Sequence, residues 1–149
     1  MSRRAFLRAG AGAGRYRFIG IEIRPAAGEF LENLVLLGHD ASSVADVPGP
    51  FELDRCYIHG DGQVGARRGV ALNSSDTTVI GCYLADFKEV GADSQALAGW
   101  NGPGPYRILN NHLEAAGENV MFGGADPTID GLVPSDIVIR GNVLTKPLG

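Results

Sequence analysis

Arg67 and Arg68, Lys88 and Glu89, Asp93 and Glu118 are the residues of this chain whose types and spacing fit work on an acidic sugar or a glycosidic bond. Removing the proton α to a uronate carboxylate needs a base, and cations to hold the enolate that forms. Arg67, Arg68 and Lys88 are the available types. Hydrolysis of a glycosidic bond needs instead two carboxylates flanking it, for which Asp93 and Glu118 are the candidates. Arg67 could clamp a substrate carboxylate or hold Asp93 ionised. Glu89 and Trp100 are candidate substrate contacts, the indole by stacking on a sugar ring or else by packing over its own turn. The competing reading of all these charges is an exposed ladder of ion pairs, each worth little.

Other reactive types carry less. His39, His59 and His112 share no repeat position, which argues against a three-histidine metal site, and no Walker loop, zinc spacing or nucleophile elbow occurs. Cys56 and Cys82 do share a repeat position. Side chains that point the same way from parallel neighbouring strands do not easily reach disulfide geometry, so both are expected as reduced, buried thiols acting as small hydrophobes.

What positions these residues is a repeat. An apolar residue, a second one two places on, a Cys, Asn or Ile three further, and then an aliphatic recur as Tyr16-x-Phe18-x-x-Ile21-x-Ile23, Phe51-x-Leu53-x-x-Cys56-x-Ile58, Thr77-x-Val79-x-x-Cys82-x-Leu84, Tyr106-x-Ile108-x-x-Asn111-x-Leu113 and Ile137-x-Ile139-x-x-Asn142-x-Leu144. The key positions 21, 56, 82, 111 and 142 lie 35, 26, 29 and 31 residues apart. A further strand-like run lies in each of four intervals, ending at Gly38, Asn73, Gly99 and Gly123. Aligning those four ends puts Glu32-Asn33, Arg67-Arg68, Asp93-Ser94 and Gly117-Glu118 at equal offsets, so that acid, Arg and acid stack along one side. It also makes Leu36, Ala71, Leu97 and Met121 an outward apolar stripe, a candidate interaction patch. Alternation of period two marks strands. Connections such as Gly60-Asp-Gly62 are too short for crossover helices, so the strands must coil, each turn burying its inward residues against the turns beside it. The expected fold is all-β: a right-handed parallel β-helix, a single-stranded solenoid of about four to five turns.

The bulk properties agree. The chain has 149 residues, 22 of them Gly, 20% charged residues and a net charge of −4. That composition fits one ordered domain rich in turns and leaves no basic patch to neutralise nucleic-acid phosphates. No apolar run is long enough for a membrane-spanning helix.

The run Ile139-Arg-Gly-Asn142-Val-Leu144 resembles the parallel β-helix repeat of the pectate-lyase-like superfamily. Tyr16 to Pro25, Arg67 to Asn73, Lys88 to Gln95 and Gly117 to Asp126 are similar to uncharacterised bacterial β-helix-repeat proteins. The resemblance spans residues 16–149. It implies an exported carbohydrate-active protein, related to polysaccharide lyases or glycoside hydrolases, with its groove along the second strand run and the turn before it. It also implies calcium as the cofactor to consider and a polysaccharide as the partner, with neither nucleic acid nor membrane. The alternative from another class is a non-catalytic β-solenoid that binds or assembles. Ser2-Arg-Arg-Ala-Phe-Leu-Arg8 resembles a twin-arginine export motif, so residues 1–14 read as a signal remnant or an N-terminal cap, and the location as extracellular or periplasmic. Residues 15–149 read as the β-helix domain, truncated at its C-terminal end. Its last strand has no polar closing sequence, so self-association through an open coil end is expected.

Overall fold

The computed structural model describes residues 5–38 and 41–147. It is all-β apart from one 3₁₀ turn at Val44–Asp46. Sheet A contains β1 (Ala5–Ala9), β4 (Asn33–Leu37), β7 (Arg68–Leu72), β10 (Gln95–Gly99) and β13 (Glu118–Phe122). Sheet B contains β2 (Tyr16–Ile19), β5 (Phe51–Asp54), β8 (Ser75–Ile80), β11 (Gly104–Leu109) and β14 (Ile137–Arg140). Sheet C contains β3 (Glu22–Ile23), β6 (Tyr57–His59), β9 (Tyr83–Phe87), β12 (His112–Ala115) and β15 (Val143–Thr145). Every pairing between these strands is parallel, and each strand's neighbours come three places earlier and later in chain order. Three stacked parallel sheets visited in rotation make a β-solenoid. Strand β1 lies within the stretch read as a leader or cap and pairs with β4. Of the residues discussed above, Ser2, Arg3 and Arg4 of the export-like motif, His39, and the last two, Leu148 and Gly149, lie outside the described residues.

The corner from sheet B to sheet C is the most regular part. The residue entering it takes a left-handed conformation on every rung: Gly20, Arg55, Gly81, Asn110 and Gly141 have φ between 52° and 68°. Only a tight reversal needs that backbone, and Arg55 and Asn110 show that glycine is not obligatory there. The next residue turns inward. The Asn142 amide oxygen accepts the Asn111 N–H at 2.8 Å, and the Asn111 oxygen accepts the Cys82 N–H at 2.8 Å. Each amide nitrogen donates to a carbonyl of the rung before, Asn111 to Val79 and Asn142 to Ile108. The cysteines continue the line: Cys82 Sγ accepts the Cys56 N–H at 3.3 Å and lies 3.3 Å from the Leu53 carbonyl. Both thiols are free and buried. They are therefore more than the small hydrophobes expected from the sequence: Cys82 Sγ takes the place of an amide as weak acceptor and weak donor, and Cys56 Sγ lies 3.4 Å from the Phe18 carbonyl as a weak donor.

Sheet A corrects the alignment of the second strand run. Leu97 pairs with Val70 and Val120, and Ala98 with Ala71 and Met121. The residue in register with Asn73 and Gly123 is thus Trp100 rather than Gly99, a shift of one place on β10. Leu97 accordingly belongs to the interior, and the outward stripe is Leu36, Ala71, Ala98 and Met121. A one-residue slip exchanges the two faces of a strand, which is why a count from a loop glycine misplaced it. The cause is an extra residue in the connection before β10, which the shared glycines hid.

The start of each sheet A strand is kinked. No pairing is made at Leu34, Gly69, Ala96 or Asn119, although the residues on either side of each are in register. Leu34 and Val35 both lie in the interior cluster. A Cβ at Gly69 would stand 2.6 Å from the Phe87 ring, so the glycine makes room for that side chain. The kink turns the preceding residue of each strand, Asn33, Arg68, Gln95 and Glu118, away from the interior. The core is a column of Val35, Leu37, Val70, Leu72 and Leu97 from sheet A, Phe51, Leu53, Val79, Tyr106 and Ile108 from sheet B, and Ile23, Ile58, Leu84 and Leu113 from sheet C. On the last rung Ile139 and Leu144, in register with the fully buried Ile108 and Leu113, are 49% and 55% exposed.

Replacing Asn111 with Ala removes three side-chain hydrogen bonds, to the Cys82 N–H, the Val79 carbonyl and the Asn142 amide oxygen, and leaves the Cys82 N–H buried without that partner. Urea denaturation should show a loss of about 3 kcal/mol. Burial pushes the Cys82 thiol up to about 12, so a thiol reagent should titrate no cysteine in the native protein and both once it is unfolded.

Candidate functional site

The kinked starts of the sheet A strands build one continuous polar row. Arg68 Nε donates to Gln95 Oε1 at 3.0 Å, and Gln95 Nε2 donates to Glu118 Oε2 at 2.8 Å. The amide thus bridges a cation and an anion on either side of it. Gln95 has no exposed surface, which fixes the orientation of the bridge. The Arg68 guanidinium carbon lies 5.2 Å from the centre of the Trp100 ring, a cation–π contact. Its Nη groups donate no hydrogen bond among the described residues. Burial and the neighbouring Arg67 charge lower its proton affinity. Asn33 heads the row at 7% exposure, with its Oδ1 buried and unpaired, an acceptor still to be satisfied.

The structure divides the candidate residues into two groups. Arg68, Glu118 and Trp100 lie along this row, joined by Gln95, which sequence reasoning missed because the slip on β10 placed Ser94 there. The second group ties together the connections before the strands. Arg67 Nε donates to the Asp93 carbonyl at 3.2 Å and stands 3.4 Å from Glu89 Oε2. Lys88 Nζ donates to the Gly62 carbonyl at 2.9 Å. Lys88 and Glu89 also line a shallow hollow of about 280 Å³ with Gln63, Val64, Val90 and Ala116. Asp93 is exposed and meets Arg67 through its backbone, not its carboxylate.

This geometry bears on the chemistry. With Ser94 in register with Gly117, Asp93 falls two positions out of step with Glu118, where an offset of one was expected. The Gln95 hydrogen bond is the main influence holding the Glu118 carboxyl below the usual carboxylate range, with Lys146 adding to it. A glycosidase acid needs the opposite, a carboxyl raised toward neutrality. Calcium does not fit the row either: among the described residues no group of three or more His, Cys, Asp or Glu is placed to hold a metal ion. What the row offers is a half-buried guanidinium on an indole face and an ionised carboxylate, joined through Gln95.

Two further arrangements went unread in the sequence, both made by outward residues that the inward repeat ignores. On sheet C, Tyr57 stacks on His59 at 4.2 Å and Tyr83 on His112 at 4.3 Å, with the two tyrosines 5.6 Å apart. On sheet B, three arginines surround an open cleft. The signal for either would have been the residue following each repeat position rather than the position itself.

Carboxylates across the coil share a pH signature. The Asp61 carboxyl is held low by the N–H groups of Gly28, Val64 and Gln63, Glu22 by His59, Asp54 by Arg55, and Glu118 by Gln95. Each titrates lower folded than unfolded. Their stabilisation is therefore complete above the unfolded carboxylate values of about 4 and is lost as pH falls through the folded ones. Thermal melting should be flat from neutral pH down to about pH 5 and fall steeply below about pH 4. Asp61→Asn should soften that fall.

Compared with known proteins, the chain matches no family model, no curated protein and no solved structure.

Proposed function

We propose that this protein is an exported right-handed parallel β-helix of the pectate-lyase-like kind, of four to five turns, that binds an acidic polysaccharide along the outer side of sheet A. The single observation that carries the reading is the row Asn33, Arg68, Gln95, Glu118 with Trp100 beside it. A uronate chain presents what such a row lacks. Its carboxylate meets the open Nη donors of Arg68 as a fork, and a sugar face lies against the remaining indole surface. The rungs are about 4.8 Å apart, so a chain laid along the coil meets successive rungs with successive units. Of the two classes weighed from the sequence, binding is favoured over hydrolysis, because the carboxylate in the row is held ionised and its expected partner is out of step.

A second reading is β-elimination with Arg68 as the base. Its specific support is the lowered proton affinity of that guanidinium beside Arg67. Self-association through the exposed last rung is compatible with either reading.

Titration calorimetry with a polyuronide separates them. Binding should be saturable and weaken about tenfold in Arg68→Ala, with a smaller loss in Trp100→Ala. No absorbance from an unsaturated product should appear. Its appearance in the wild type and loss in Arg68→Ala would establish elimination. Unaltered affinity in both variants would remove sheet A as the site.

A further inference from the structure

We infer a second sugar-acid site, separate from sheet A and not resting on that reading: the cleft on the outer face of sheet B, which takes a single uronate unit.

The cleft follows from side-chain lengths on two parallel lines. At the entry to sheet B, Arg15, Pro50, Asp76 and Pro105 occupy equivalent places on successive rungs. Two residues later come Arg17, Glu52, Thr78 and Arg107, in register. Pro50 and Thr78 are short where their neighbours are long, so the face is hollowed over them. The hollow measures about 330 Å³ and is lined by Arg15, Tyr16, Arg17, Glu52, Asp76, Thr78 and Arg107 together with Pro50 and Phe51. Three guanidiniums against two carboxylates leave its lining one positive charge in excess.

The lining is held in place yet not used up. Arg17 donates Nε to Glu52 at 2.9 Å and Nη2 to Asp54 at 2.9 Å. Arg107 donates only Nη1, to Asp76 at 2.8 Å. These pairs fix both guanidiniums at opposite ends of the hollow, while the remaining donors of Arg107, the side chain of Arg15 and the Thr78 hydroxyl make no hydrogen bond among the described residues. Tyr16, in register with the buried Phe51 and stacked on it at 6.4 Å, lies on the inward side of its strand and borders the hollow only at its edge.

The chemistry that matches is specific. A carboxylate takes the open donors of Arg107. Vicinal hydroxyls need acceptors beside the cations, which Glu52 and Asp76 supply, and a donor, which is Thr78. A simple anion uses the arginines alone and meets two carboxylates unfavourably. A neutral sugar leaves the excess charge unmet. The cleft therefore selects a sugar carrying its own carboxylate.

The test is amide NMR titration of the whole chain with sodium glucuronate, with glucose and sodium sulfate as comparisons. Glucuronate should move the amides of Asp76, Thr78 and Arg107 saturably, glucose should not, and sulfate should bind about tenfold more weakly. Arg107→Ala should weaken glucuronate about tenfold. Thr78→Arg, which fills the hollow while keeping every arginine, should abolish binding, and Arg68→Ala should leave these shifts unchanged. The proposal is overturned if no saturable shift appears at those amides, if sulfate binds as well as glucuronate, or if Thr78→Arg still binds. Loss in Arg68→Ala with Arg107→Ala unaffected would assign the sugar to sheet A alone and equally overturn it.

Discussion

A parallel coil without crossover helices has one constraint above the others: no rung can satisfy its own backbone. Every strand's N–H and carbonyl groups, outside the corners, are met by the rung before and the rung after. In-register stacking is therefore the condition of folding at all. The inward residues repeat because a ladder of like side chains packs without voids, and the sheet B to sheet C corner repeats because its amides reach across the same spacing. The outward residues are released from that constraint, and all the candidate binding chemistry is found among them.

This division explains how much could be read in advance. The positions Cys56, Cys82, Asn111 and Asn142 were legible because all four solve one problem, an inward turn whose backbone must be bonded to the next rung. Parallel all-β structure followed from them. Sheet A was legible as strands but slipped by one residue on β10, because its apolar pattern is continuous on both faces and a sheet covered on both sides carries no alternation to fix its phase. Gln95, Arg68 and Glu118 form one row only when that phase is right. Arg68 and Glu118 could be named from their types; the residue that joins them could not.

The sheet B cleft was illegible for a different reason. Its residues span Arg15 to Arg107 and belong to different rungs, with nothing in their sequence spacing beyond the repeat itself. Their meaning comes from the contrast between long and short side chains along a line, a property of the stacked surface and not of any one segment. The same holds for the tyrosines and histidines on sheet C. In a solenoid, a site is written across the repeats, one residue from each.

The sulfur rungs at the sheet B to sheet C corner have a dynamic consequence. An amide clamps its neighbour with one strong acceptor and up to two strong donors, whereas a thiol offers one weak group of each kind. Asn111 and Asn142 hold the later rungs at this corner, Cys56 and Cys82 the earlier ones, and Ile21 begins the line with no polar group at all. The corner is thus graded along the axis, tightening from the first rung toward the later ones. Local opening at this seam costs least near Ile21, so the early rungs are where the coil can breathe, twist and accommodate without unravelling the remainder.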